Sequence, residues 1–336
     1  MRNIVILAAF IFLFSCSGRK EHERQTFLIK GNQAFAKGQY EQALRYYNEA
    51  IGADSSFTVA YYNKALTQVK LEKPYDAIDT YSSLLEVDPN YSMAYYNRAN
   101  LYLDVNQYFS ALEDLNQLDK VWKDSALLYF GKGLAYTRLK RYDDAIEEFN
   151  QSVELGESNA LALINLGNIY YYLNKFDTAQ SLLQKGLTLD STQANGYNTM
   201  GLIDTKKQDY ELAKHNFDKA LRLEPRNAWF LNNKGFVYLQ QNQLDSAEYF
   251  INESIKIDPY NGWAYRNKGL WEIKNDNPAK ALELLKRAYE MDGSIDNILI
   301  DLASTYHKMG ENDKACDLLR NGKSEEVVNL KKAYCL

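Results

Sequence analysis

Small and large apolar positions alternate along the chain with one fixed stride. Alanine recurs at Ala43, Ala77, Ala111, Ala145, Ala179, Ala213, Ala247, Ala281 and Ala315, every interval being 34 residues. Twelve residues before each lies a second small residue: Gly31, Ala65, Ala99, Gly133, Gly167, Gly201, Gly235, Gly269 and Ala303. Four residues earlier again the chain places a large one: Phe27, Tyr61, Tyr95, Tyr129, Leu163, Tyr197, Leu231, Tyr265 and Leu299. Apolar residues spaced three and four apart, as in Ala94 to Leu103 and Ala145 to Val153, predict helices on both sides of each turn. Gly38, Asn106, Asn174 and Asn242 separate first helices from second ones, and Asp88-Pro89, Glu224-Pro225 and Asp258-Pro259 close second helices. No segment reads as a strand.

Each unit is therefore a helical hairpin. A Gly or Ala on both helices lets their axes approach toward the short end of the roughly 8–10 Å range. Large residues on second helices, such as Tyr47, Tyr81, Phe149 and Phe217, are expected to lock against the adjacent hairpin. One hairpin alone cannot bury these faces, so the units must stack.

The run Leu163, Leu166, Gly167, Tyr170, Ala179, Leu183 resembles the tetratricopeptide pattern. Tyr129, Gly133, Tyr136, Ala145 and Phe149 repeat it, as do Tyr197, Gly201, Ala213, Phe217 and Pro225. The resemblance covers residues 24–322 and implies an all-α, right-handed α-solenoid, or superhelix. Its nine 34-residue units fall at 24–57, 58–91, 92–125, 126–159, 160–193, 194–227, 228–261, 262–295 and 296–322. Gln68, Asp204 and Glu272 stand where the family has an aromatic, and Lys123, Glu157 and Gly293 where a helix-ending proline is common. Residues 323–336 read as a cap: a helix from Glu325 to Tyr334 with Ser324 as N-cap covers the last unit.

The same resemblance implies a concave wall of first helices that holds an extended peptide or partner. Asparagines recur there at Asn63, Asn97, Asn165, Asn233 and Asn267, and again at Asn32, Asn100 and Asn168. A row of amides offers donors and acceptors to a guest backbone, as in the asparagine ladders of some tetratricopeptide superhelices; the alternative is asparagine tolerated on a solvated face. Lysines that grip acidic chaperone tails in some members are missing, since that register reads Leu28, Tyr62, Tyr96, Phe130, Ile164, Asn198, Asn232, Arg266 and Ile300. Tyr62 and Tyr96 add aromatic area. Trp229, Asn233, Trp263, Arg266 and Asn267 form the candidate hot spot, with hairpin packing as the other reading of both tryptophans.

The N-terminus changes the setting. Arg2 precedes an unbroken apolar run, Ile4 to Phe14, which would rise about 16 Å as a helix, half a bilayer core, so residues 1–15 read as a secretion signal. Leu13-Phe14-Ser15-Cys16 resembles the lipobox of bacterial lipoproteins, which implies lipidation at Cys16 and membrane attachment through a tether at 16–23; Cys16 as a plain signal residue is the alternative. Ser17, with no Asp after the cysteine, resembles outer-membrane sorting and leaves the leaflet open. Cys316 and Cys335 then remain, in a compartment that permits a disulfide worth about 3 kcal/mol, with two free thiols as the alternative. The segment between them also resembles the ending of many bacteroidete repeat lipoproteins.

Composition narrows the function. The 336 residues are 46% hydrophobic, and removing Arg2 with the signal leaves one fewer than 39 basic residues against 44 acidic, so nucleic acid is not an expected partner. His22, His215 and His307 are far apart, and Gly131-Lys132-Gly133 is too short for a phosphate loop, so neither metal, cofactor nor catalytic site is expected. The expectation is a non-enzymatic protein-interaction scaffold in the envelope, of open oligomeric state. A surface lipoprotein capturing glycan through concave aromatics is the alternative, and an enzyme built on the array is a third reading with little behind it.

Overall fold

The computed structural model describes residues 20–156, 159–322 and 324–335. Among them every regular element is a helix. The chain divides into two compact units at Ser158 and Asn159.

In the first unit, first helices α1 (20–36), α3 (Thr58–Lys70), α5 (Ser92–Asp104) and α7 (Ala126–Arg138) alternate with second helices α2 (Tyr40–Ala53), α4 (Pro74–Val87), α6 (Tyr108–Leu118) and α8 (Tyr142–Leu155). In the second unit, the first helices are α9 (Ala160–Tyr172), α11 (Ala194–Lys206), α13 (Ala228–Gln240), α15 (Gly262–Lys274) and α17 (Ile298–Lys308). Their partners are α10 (Phe176–Leu189), α12 (Tyr210–Leu223), α14 (Leu244–Ile257), α16 (Pro278–Met291) and α18 (Asn312–Leu319), and α19 (Glu325–Tyr334) closes the chain. Residues 20–23, expected to belong to the tether, are already helical, and Glu21 pairs with Arg24 there. Cys16 and the rest of the signal region lie outside the described residues.

The hairpin turn has one geometry throughout. Gly38, Glu72, Asn106, Lys140, Asn174, Gln208, Asn242, Asp276 and Gly310 all take a left-handed backbone, with φ from 56° to 80°. The N–H of the next residue then reaches back to the carbonyl five residues earlier, as Arg141 does to Tyr136 at 2.9 Å and Gln243 to Tyr238 at 2.9 Å. The sequence had marked Gly38 and the three asparagines at this position; the fold also holds Gly310 and a Glu, a Lys, a Gln and an Asp in the same well. Second helices end on an extended residue, and Asp54, Asp88, Asp190, Asp258 and Asp292 each accept, through Oδ1, the N–H two residues on. This Asx turn is why aspartate recurs where one unit passes to the next.

Packing follows the small residues. A Cβ added at Gly133 would come 2.7 Å from the Phe149 ring, at Gly201 2.8 Å from that of Phe217, and at Gly167 2.6 Å from Leu183 Cγ. The large residue of the second helix thus lies on the small residue of its own hairpin, in addition to the neighbouring hairpin that the sequence had suggested. Phe217 also joins Val237 of the following unit, so one ring serves both contacts. The alanines of the 34-residue series are fully buried at Ala43, Ala77, Ala111, Ala145 and their counterparts.

At the C-terminus Cys316 and Cys335 are bonded, with Cα atoms 5.6 Å apart. Ser324 caps α19 by accepting the Val327 N–H at 3.3 Å. Val327, Leu330 and Tyr334 cover Ala303, Tyr306, Ala315 and Leu319. Tyr334 stacks on His307 at 3.9 Å.

Two outcomes are expected. Lys140→Gly removes a side chain from a left-handed turn and raises stability by about 1 kcal/mol in urea titration. Cys335→Ser frees a short amphipathic helix with three apolar anchors, costs about 3 kcal/mol locally, and exposes residues 324–335 to hydrogen exchange while the preceding helices stay protected.

Candidate functional site

Within each unit, residues one stride apart on first helices share a face. Five of them, six residues before the small position, are apolar and open to solvent: Val59, Met93 and Leu127 in the first unit, Leu161 and Trp229 in the second, from 40% to 57% exposed. Large apolar groups at this exposure in three consecutive repeats leave a strip uncovered on the first unit; in the second, Asn195 interrupts the register between Leu161 and Trp229. Only Trp229 and Trp263 of this register had been singled out from the sequence. Val59, Met93, Leu127 and Leu161 were legible there by counting back from the glycine or alanine, but each alone looks like an ordinary surface residue.

The asparagines are engaged with one another. Asn233 Nδ2 donates to Asn198 Oδ1 at 2.9 Å, Asn267 Nδ2 to Asn232 Oδ1 at 2.8 Å, and Asn97 Nδ2 to the Tyr62 hydroxyl at 3.1 Å. In each case a residue two before the small position reaches the residue three before it in the preceding unit. Asn63 Nδ2 instead donates to Asn32 Oδ1 at 2.9 Å, and that oxygen also accepts from the Tyr47 hydroxyl at 2.8 Å. Asn165 turns back to the Leu161 carbonyl at 2.8 Å. Asn100 is half-buried. Asn168 Oδ1 and Asn267 Oδ1 are buried with no partner among the described residues.

The structure separates the members of the sequence-derived hot spot. Trp229 is half-exposed, whereas Trp263 packs on the cluster of Tyr265, Leu285 and Ile298. Arg266 is buried to 8% exposure, its Nε 2.6 Å from Asp301 Oδ2, and its guanidinium lies 5.8 Å from the Trp263 ring. Burial pushes the Asp301 carboxyl up from its ordinary value and Arg266 opposes that shift. Asn267 is 2% exposed. Tyr62 packs between Tyr81 and Tyr91, and Tyr96 lies 5.4 Å from the Trp122 ring, so both rings contribute mainly to the core.

Among the described residues no three His, Cys, Asp or Glu side chains stand close enough to hold a metal ion, and no helix is long and apolar enough to cross a membrane.

Comparison with known proteins agrees with this architecture. Tetratricopeptide repeat models match residues 30–92, 80–113, 124–191, 194–227 and 216–249. No curated protein matches the sequence. Among solved structures, the Cut9–Hcn1 hetero-tetramer of the APC/C aligns over 93% of this chain and 76% of its own, with a TM-score of 0.66 at 13% identity. Pseudomonas aeruginosa pilF aligns over 65% of this chain and 97% of its own, with a TM-score of 0.55 at 15% identity. MamA from Desulfovibrio magneticus covers 51% of this chain and 97% of its own at 23% identity and a TM-score of 0.49. At these identities the likeness concerns the fold alone. Repeat pattern, hairpin geometry and family models coincide over most of the chain, which belongs to the tetratricopeptide repeat family.

Proposed function

We propose that this protein is a non-enzymatic scaffold, lipid-anchored in a bacterial envelope through Cys16, that holds a peptide or partner protein along the shared face of its first helices. Tetratricopeptide repeats generally bind peptides or proteins, and no catalytic family is indicated. The observation that carries the groove is the uncovered apolar register Val59, Met93 and Leu127 of the first unit; Leu161 and Trp229 hold the same register in the second. Apolar surface repeated at a constant stride suits an extended or helical guest that presents apolar groups at intervals. The asparagine row supports this reading differently from the sequence expectation: its amides tie successive first helices and hold the register in place. Envelope attachment rests on the apolar run Ile4 to Phe14 and on the Leu13-Phe14-Ser15-Cys16 junction, with the outer membrane favoured by Ser17.

A photo-crosslinking residue at position 127 or 161 is expected to capture a defined protein in cells, identified by mass spectrometry. Trp229→Ala is expected to weaken that partner by about 2 kcal/mol, roughly 30-fold in Kd, with unchanged circular dichroism; unaltered affinity removes this face from the site. Separately, Cys16→Ala is expected to move the protein from the membrane fraction to the soluble one and to abolish incorporation of a labelled fatty acid. Retention of label in that variant would refute the anchor.

A further inference from the structure

Three residues after each small position the sequence places tyrosine in five units: Tyr102, Tyr136, Tyr170, Tyr238 and Tyr306. A cation one residue before the small position can lie against that ring, as Arg98 does on Tyr102 at 5.7 Å and Lys234 on Tyr238 at 5.8 Å. Ala34 breaks the series with a small apolar residue, and Gln68, Asp204 and Glu272 break it with polar ones. Two of these are accommodated. Asn216 Nδ2 donates to Asp204 Oδ2 at 2.7 Å, and Glu272 receives Lys280 at 3.1 Å and Asn277 at 3.2 Å.

Gln68 is different. It is 7% exposed, and its buried Oε1 has no partner among the described residues. Where other units hold a ring there is a cleft of about 270 Å³ between α3 and α4, lined by Tyr61, Lys64, Gln68, Asp76, Asp79 and Thr80. Lys64 is the cation of the series; burial pulls its ammonium below the ordinary lysine value, and Asp76 opposes that. Spacings of three and four put Tyr61, Lys64 and Gln68 on one face of α3, turned away from Val59, Tyr62 and Asn63. The cleft is thus apart from the apolar strip.

We propose that this cleft receives the side chain of a tyrosine in a basic segment of a partner protein, seated as Tyr102 and Tyr238 are seated in their own units. The cleft offers a ring-sized space, a cation for the ring face and, in Gln68, a lining side chain whose acceptor has no partner among the described residues. An unmet buried acceptor is unfavourable, and a phenol supplies the donor that phenylalanine lacks. Asp76 and Asp79 are exposed at the rim and suit lysine or arginine on either side of the tyrosine.

The probe is a dye-labelled peptide, Ac-Lys-Arg-Tyr-Lys-Arg-NH2, titrated with the full chain in detergent and followed by anisotropy. Saturable binding is expected, weakened about tenfold or more by replacing its tyrosine with phenylalanine. Gln68→Tyr fills the cleft with the protein's own ring; it is expected to abolish binding and to leave the melting temperature unchanged or higher. Asp76→Lys with Asp79→Lys, surface changes that keep the packing, should abolish binding as well. Trp229→Ala should leave it intact, which separates this site from the apolar strip. No saturable binding up to about 1 mM, equal affinity of wild type and Gln68→Tyr, or loss of binding in Trp229→Ala would each overturn the proposal.

Discussion

Two helices lie closely together only where neither carries bulk at the crossing, and the side chain laid over that gap then decides what the pair can join. In this chain the gap is the glycine or alanine of the first helix, and the overlying group is the ring or branched chain sixteen residues later. At Gly201 the ring is Phe217, which also touches Val237 in the next hairpin. One contact therefore closes a hairpin and begins the next. Stability in such an array is a chain of nearest-neighbour terms, and a repeat that meets no further hairpin needs a cover. The α19 helix meets that need with three apolar anchors and a covalent link, where an internal unit would have a full second interface.

The fold was largely legible from the sequence because the constraints that set it are local and repeated. A small residue at a fixed phase, a large one four residues before it and an apolar period of three and four mark the helices whatever else varies. Less visible was the turn. Glycine and asparagine announce a left-handed residue, but Glu72, Lys140 and Gln208 do not, since their intrinsic preference is for helix, and Asp276, which tolerates that conformation, is common enough elsewhere to pass unnoticed. The partners of the large residue were also read only in part: the contact with the next hairpin was foreseen, the one with its own small residue was not. Periodicity shows that Phe149 faces inward, yet whether it meets its own hairpin or the next depends on how closely the axes approach.

The candidate site was legible in part, and its least legible feature was burial. Asn267 and Arg266 have the right types and phase for a recognition surface, but a neighbouring first helix covers them, and no single helix reveals that. Trp229 and Trp263 occupy the same register, yet only the first remains half-exposed, because the second is drawn into the packing of α15 with α16 and α17. Register identifies which residues can share a face, while exposure depends on what the adjacent units bring to it.

An amide already bonded between helices is a poor ligand for a guest, since engaging it means breaking one hydrogen bond to form another, with a net gain near zero. On the proposed function, the bonds from Asn233 to Asn198 and from Asn267 to Asn232 leave the recognition of a guest to apolar contacts. Where such bonds cross from one first helix to the next, as from Asn97 to Tyr62 and from Asn63 to Asn32, they tie the helices that carry Val59 and Met93. A face held at constant spacing selects by geometry: a guest gains apolar contact on every unit only when its own anchors match the stride. The polar row and the apolar strip are on this view one device, the first tying the helices and the second supplying the adhesion.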